Sequence, residues 1–203
     1  IRCVAKYLYD NDIVKKDVLT IETLSGVKTL QLNTKNGEVS SVMVDMGKAE
    51  LAPAEIPVNL PGKSIINTPV EICGRVYSIT CVSMGNPHAV VFCREVDSLN
   101  LSELGPKFEN SALFPERVNT EFVEIIDKST LKMRVWERGS GETLACGTGS
   151  CAAAVAAVLN GYCIKNEDIK IILRGGCLTV RYTDDTVFMT GECKKVFEGV
   201  IEV

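Results

Sequence analysis

Several residue types that would point directly to a function are scarce in this sequence. Its 203 residues include one histidine and one tryptophan, and 6% of them are aromatic. Its 22 lysines and arginines are scattered and outnumbered by 26 acids, so it lacks the basic patch that binds nucleic acid or an anionic membrane surface. No run approaches the roughly 20 apolar residues of a membrane span, and no charged-then-apolar leader opens the chain. These absences favour a cytoplasmic protein whose partner is a small polar metabolite.

The nine cysteines lack the spacing of a metal or redox site. Their number is odd, and no two form a Cys-x-x-Cys pair. We therefore expect reduced thiols without a bound metal, most of them small buried hydrophobes. The set comprises Cys3, Cys73, Cys81, Cys93, Cys146, Cys151, Cys163, Cys177 and Cys193.

The first 45 residues predict a helix followed by a meander of strands. Apolar residues recur at helical spacing from Ile1 to Leu8 with no cap ahead of them, so the chain is expected to start inside an element. Three β-rich runs follow, at 18–24, 28–32 and 39–44, separated by Ser25-Gly26 and Asn36-Gly37 turns. A proline-containing connection over 47–63 then indicates a domain boundary near Asp45.

The remaining residues predict an α+β lobe in which antiparallel strands wrap a central apolar helix. That helix, at 150–161, has almost no polar face and must be buried on all sides. A second helix, at 101–110, should be broken or offset by Gly105-Pro106. Strands are expected at 70–73, 77–82, 89–93, 120–126, 131–136, 169–173, 178–182, 187–190 and 196–203.

Cys146 differs from the other cysteines because it lies between Ala145 and a Gly-Thr-Gly run, directly ahead of the apolar helix. Its side chain should face the free amides of that helix end, whose partial positive charge would stabilise a thiolate and lower its pKa toward neutrality. The amides of Gly147, Thr148 and Gly149 could hold a carboxylate. On pattern alone, a glycine-rich turn with an inert cysteine explains this run equally well.

Other candidate site residues lie where predicted strands begin or end. The Asn-Pro step at 86–87 forces a turn that would put Asn86 and His88 at a strand end, although a lone histidine is more often structural. Glu137 and Arg138 follow a strand and precede flexible glycines, and Asn119 leads into a strand. A solvated ion pair and a simple turn residue remain the alternative interpretations of these three.

Four segments occur in order along the chain: Ser83-Met84-Gly85-Asn86-Pro87-His88, Phe114-Pro115-Glu116-Arg117-Val118-Asn119, Glu137-Arg138-Gly139-Ser140-Gly141-Glu142-Thr143 and Ala145-Cys146-Gly147-Thr148-Gly149-Ser150-Cys151. Together they resemble the signature segments of the diaminopimelate epimerase family, and the resemblance covers essentially the whole chain. That family also carries a Cys-Gly-Asn-Gly-x-Arg-Cys run in its first half. Ile1-Arg2-Cys3 resembles the end of that run.

The resemblance implies two pseudo-symmetric lobes, each with barrel-like antiparallel strands around a central helix, and a site where the two helix N-termini meet. Residues 1–45 with 195–203 would be the remnant of an incomplete first lobe, and 46–194 would form the second lobe, which carries Cys146. The strand at 196–203 would return to pair with the first lobe. The resemblance also implies a homodimer.

The reaction implied is the interconversion of LL- and meso-diaminopimelate, for lysine and peptidoglycan precursor synthesis, without a cofactor or metal. Inversion at a carbon needs an acid/base group on each face. Cys146 resembles one of the two thiols. The other would be the first cysteine of the Cys-Gly-Asn-Gly run, which these residues do not contain, and Cys3 matches only the second cysteine. The chain alone is therefore expected to be inactive.

The resemblance also implies roles for the other residues. His88 and Glu137 would form a polar pair that tunes the thiols, Asn86, Asn119, Glu137 and Arg138 would contact the substrate, and Gly147 and Thr148 would offer amides to its carboxylate. Two alternatives remain: a proline or hydroxyproline racemase of the same fold, whose substrate lacks a second amino-acid end, and a non-catalytic binding or dimerisation module.

Overall fold

The computed structural model describes residues 1–202, and their mixture of helices and strands confirms the α+β class. Contacts divide the chain into two compact units, one formed by residues 1–45 with the segment from Thr190 onward, the other by Met46–Met189. No helix in residues 1–202 is long and apolar enough to cross a membrane. The elements are α1 (Arg2–Asp10), β1 (Val18–Thr23), β2 (Gly26–Lys35), β3 (Glu38–Asp45), β4 (Thr68–Ile72), β5 (Arg75–Ser83), β6 (Pro87–Phe92), α2 (Leu101–Glu109), β7 (Asn119–Asp127), β8 (Thr130–Glu137), β9 (Gly141–Thr143), α3 (Gly147–Leu159), β10 (Asp168–Leu173), β11 (Gly176–Tyr182) and β12 (Val187–Glu192).

The smaller unit contains the predicted meander, with β1 antiparallel to β2 and β2 antiparallel to β3. Asn36 and Gly37 both adopt positive φ, 54° and 84°, as a tight hairpin turn requires. Helix α1 is tied to β3 at Val39, whose carbonyl accepts from Lys6 Nζ at 2.7 Å and whose N–H donates to Asp10 Oδ1 at 2.9 Å. These contacts confirm the predicted helix and meander.

In the larger unit the strands run in the order β11, β10, β8, β7, β6, β5 and β4, with β9 paired to β8. The β6–β7 and β8–β10 pairs are parallel, and the other pairs in this unit are antiparallel. The register places His88 opposite Asn119 and Thr120 opposite Trp136. Residues that are far apart in sequence therefore meet where β6 and β7 begin and β8 ends.

Helix α3 lies in the core of the larger unit, as predicted. Residues 152–157 are all fully buried, and the helix contacts strands β5 to β8, β10 and β11. It begins at Gly147, three residues earlier than the sequence predicts, and Cys146 is its N-cap. The small side chains of its alanines let strands pack closely on every side.

Helix α2 runs unbroken through Pro106, so the predicted break at Gly105-Pro106 is wrong. Proline removes one N–H, and the carbonyl that loses its partner belongs to Ser102, which is exposed and can be hydrated. Tertiary packing then favours the helix, because Phe108 is fully buried against Tyr77 and Phe122, with ring centroids 5.0 and 5.4 Å apart.

The predicted strand at 196–203 is also wrong for residues 196–202, which adopt no regular structure, while residue 203 lies outside the described residues. The large apolar side chains of this segment are at least 82% exposed in Val196, Phe197, Val200 and Ile201. Alternating apolar residues form a strand only where they can pair with a neighbouring strand and pack on an apolar surface. No strand among residues 1–202 pairs with this segment.

Candidate active site

Cys146 lies at the N-terminus of α3 with its side chain turned toward the first helical turn. Its Sγ accepts a hydrogen bond from the Gly149 N–H at 3.4 Å, while its carbonyl accepts from Ser150 Oγ at 2.7 Å. This geometry confirms that the thiol faces free helix amides. A larger residue at 149 would have to displace the Glu121 side chain, because a Cβ there would lie 2.6 Å from Glu121 Oε1 and 3.2 Å from Cys146 Sγ.

The protonation state of Cys146 differs from the sequence-based expectation. The residue is only 5% exposed, and burial, followed by the charge of Glu121, raises the pKa of its thiol to about 12. Hydrogen bonds from Thr148 and Gly149 lower that pKa but do not offset the burial. The expected pKa near neutrality is therefore wrong for this structure, and Cys146 is a protonated thiol at neutral pH.

His88 lies on β6 with its ring fully buried, and its partners are an acid and an amide. Nδ1 is 2.7 Å from Glu121 Oε1, and Nε2 is 3.0 Å from Asn86 Oδ1. Glu137, which the resemblance pairs with His88 in tuning the thiols, accepts a hydrogen bond from Thr143 Oγ1. Glu137 still lies near the thiol, since its charge contributes to raising the Cys146 pKa.

Asn119 connects two backbone segments of the site. Its Nδ2 donates to the Pro87 carbonyl at 2.9 Å, and its Oδ1 accepts from the Arg138 N–H at 2.9 Å. The Arg138 guanidinium is held by the Glu116 carbonyl at 2.8 Å. Asn119 therefore fixes the start of β6 relative to Arg138, which follows Glu137, the last residue of β8.

A second chain of contacts brings the remaining expected residues to the thiol. Asn86 Nδ2 donates to Thr148 Oγ1 at 3.4 Å, and Thr148 Oγ1 is 3.6 Å from Cys146 Sγ. The N–H groups of Gly147 and Thr148 lie in the first helical turn, where no intrahelical carbonyl can accept from them. They are positioned to bind an anion such as a carboxylate. Within residues 1–202, no three His, Cys, Asp or Glu side chains cluster to hold a metal ion.

Sequence reasoning missed two buried acids, Glu121 and Glu109. Glu121 is the third residue of β7, whose first five residues are all buried, and an acid in such a run was the available signal. Glu109, at the end of α2, accepts hydrogen bonds from Trp136 Nε1 at 2.7 Å and from the Gly139 N–H at 2.9 Å. It therefore anchors the loop that follows β8.

The family model described as diaminopimelate epimerase matches residues 80–196. The diaminopimelate epimerase of Acetivibrio thermocellus is 50% identical over all of this chain and 72% of its own length. That of Desulfovibrio desulfuricans is 49% identical over 98% of this chain and 71% of its own length.

Solved structures of low identity share the fold. A hydroxyproline epimerase from Agrobacterium vitis superposes with a TM-score of 0.68 at 15% identity, covering 94% of this chain and 61% of that one. A methylitaconate-delta-isomerase superposes with a TM-score of 0.55 at 13% identity, covering 94% and 69%. These likenesses concern the fold alone. With a family model that matches more than half of its residues and relatives near 50% identity, the chain belongs to the diaminopimelate epimerase family.

Proposed function

We propose that this chain supplies one acid/base thiol, Cys146, to an enzyme that interconverts LL- and meso-diaminopimelate. Family membership supports the reaction. The observation that carries the role of Cys146 is its place as the N-cap of α3, with Sγ against the Gly149 N–H and next to the first-turn amides. A substrate carboxylate bound to those amides would bring its α-carbon close to the thiol.

The protonation state of Cys146 suits the role of acid. A thiolate on the opposite face removes the α-proton, and the electron pair left on the α-carbon is delocalised into the carboxylate held by the amides of Gly147 and Thr148. Cys146 then gives its Sγ proton to the α-carbon from its own face and becomes a thiolate. In the reverse direction Cys146 starts as the thiolate and the other thiol donates, so each group serves as acid once and as base once.

The second thiol lies outside the 203 residues in this proposal. The family's Cys-Gly-Asn-Gly run would supply it, and Cys3, which is exposed at the start of α1, is not a substitute. No cofactor is needed, because two thiols provide both proton transfers. We also propose that residues 1–45 with 195–203 belong to the first lobe and 46–194 to the second, and that the enzyme is a cytoplasmic homodimer.

The remaining candidate residues would recognise a substrate with two amino-acid ends. Glu137 ends β8, Arg138 begins the loop that Asn119 and Glu109 hold in place, and Asn86 lies beside Thr148. An acid, a guanidinium and an amide match the ammonium and carboxylate groups of diaminopimelate. His88 and Glu137 would tune the thiol, with His88 acting through its hydrogen bond to Asn86.

The test measures exchange of the α-proton with solvent deuterium on LL-diaminopimelate, L-proline and trans-4-hydroxy-L-proline. The complete polypeptide in which this sequence occurs should exchange only diaminopimelate. The 203 residues alone should give negligible exchange, because one thiol is missing. Exchange on proline would contradict the substrate, and turnover by the 203 residues comparable to that of a full-length relative would contradict the missing thiol.

A further inference from the structure

Glu121 is a buried acid to which the reaction above gives no part. Its side chain is 0% exposed, and so is that of His88, its partner at 2.7 Å. Its second oxygen, Oε2, has no hydrogen-bond partner among residues 1–202. Burial of a carboxylate charge is costly unless a partner neutralises it. The partner here is the only histidine of the chain.

The two ring nitrogens of His88 both face oxygen atoms. Nε2 faces Asn86 Oδ1 at 3.0 Å, and since an amide oxygen can only accept, Nε2 must carry a hydrogen. Nδ1 faces Glu121 Oε1 at 2.7 Å, where two lone pairs would repel each other unless a proton lies between them. That proton sits either on the ring or on the carboxyl group. In both forms Nε2 is a donor and the pair has no net charge.

This arrangement reaches the thiol through Asn86. Because Asn86 Oδ1 is turned toward the histidine, its Nδ2 points the other way and donates to Thr148 Oγ1 at 3.4 Å. The Thr148 hydroxyl is in turn 3.6 Å from Cys146 Sγ. If Nε2 lost its hydrogen, the Asn86 amide would have to rotate and present its oxygen to Thr148 and to the site.

We propose that Glu121 is a positioning residue that keeps a proton against His88 Nδ1, fixes Nε2 as a donor, and so fixes the orientation of the Asn86 amide beside Cys146. Its catalytic consequence rests on the function proposed above, whereas the protonation pattern belongs to the chain whatever its substrate. Two thiols lie close enough to Glu121 to be affected by its charge, those of Cys81 on β5 and Cys146 ahead of α3. Burial raises the pKa of both thiols, and Glu121 raises it further in the form in which its carboxyl group carries the charge.

The first test observes the ring nitrogens of His88 by 15N NMR in the complete polypeptide, with a His88→Gln variant to identify the signals. Nε2 should be protonated at neutral pH, and Nδ1 should be coupled to a strongly deshielded proton. In Glu121→Gln the ring should carry a single hydrogen distributed over both nitrogens, because an amide can either donate to Nδ1 or accept from it. An unprotonated Nε2 in the wild-type protein would overturn the proposal.

The second test is activity, with a matched control on the same strand. Glu124 also lies on β7, and its Oε2 accepts a hydrogen bond from the Val96 N–H at 3.0 Å. Glu121→Gln should lower kcat/KM on diaminopimelate about 10- to 100-fold, the range found when the partner that orients a metal-ligating histidine is removed. The kcat/KM of Glu124→Gln should remain within about twofold of the wild-type value, since substitutions outside buried hydrogen-bond networks usually have small effects.

The possible outcomes separate the two proposals. A Glu121→Gln variant with wild-type activity and an unchanged nitrogen pattern would overturn the role of Glu121. A wild-type protein inactive on diaminopimelate would remove the proposed function, while the nitrogen pattern would still decide the protonation of His88. If Glu121→Gln fails to fold, the wild-type spectrum alone settles whether Nε2 is the donor.

Discussion

The indole ring of Trp136 lies directly on Gly105 of α2, where a Cβ would be only 2.1 Å from Trp136 Cδ2. The same ring donates its Nε1–H to Glu109 Oε2 at 2.7 Å. Trp136 immediately precedes Glu137 and Arg138 at the end of β8. This packing therefore connects helix α2 to the end of β8, where Glu137 and Arg138 are proposed to contact the substrate.

Substitution Gly105→Ala should destabilise the protein. Alanine normally favours a helix over glycine, but here the added methyl group overlaps the indole ring, and overpacking of this kind costs about 1–3 kcal/mol. Urea unfolding measures the change. Gly199→Ala is the control, because a Cβ at Gly199 meets nothing within 4 Å. Equal stability of the two variants would show that Trp136 does not pack on Gly105 in solution.

Glu109 should make stability depend on pH in the acid range. Burial alone would raise its pKa, but hydrogen bonds from Trp136 and Gly139 and the charge of Arg117 together lower the pKa below the ordinary 4.5. A lowered folded-state pKa gives stability that is present above 4.5 and is lost as pH falls through the folded-state pKa. Glu109→Gln should remove this part of the dependence, as measured by urea midpoints at several acid pH values. An unchanged slope would argue against the network.

At neutral pH, Cys146 should be alkylated later than the exposed cysteines. Its thiol is 5% exposed and burial raises its pKa to about 12, whereas Cys3, Cys73 and Cys177 are exposed. The thiolate is the reactive form, so the Cys146 rate should increase with pH throughout the alkaline range. Peptide mass spectrometry after timed iodoacetamide treatment gives the order of labelling. Labelling of Cys146 ahead of the exposed cysteines would contradict the protonated state.

Local sequence features predicted the elements whose causes are local. Asn36-Gly37 fixed a hairpin, and the apolar run after Ser150 fixed a helix buried on all sides. Glycines at 147 and 149 indicated the N-terminus of α3, where Cys146 lies. These features depend on residues within a few positions of each other, so they can be read from the sequence.

Features that depend on distant contacts could not be predicted in this way. Glu121 and His88 are 33 residues apart, and only the parallel register of β6 and β7 brings them together. Pro106 stays helical because of packing by distant aromatic rings. The pKa of Cys146 depends on how deeply the surrounding strands bury it, which a motif does not state.

The proposed role of Cys146 is tested most directly by its replacement with alanine in the complete polypeptide. The measurement follows deuterium at the α-carbon of LL-diaminopimelate in D₂O by NMR, with Cys177→Ala, an exposed cysteine, as the control. Cys146→Ala should lower epimerisation by about 10²- to 10⁴-fold, the contribution of a positioned acid or base, while the control retains wild-type rates. Wild-type epimerisation by Cys146→Ala would contradict the proposed mechanism.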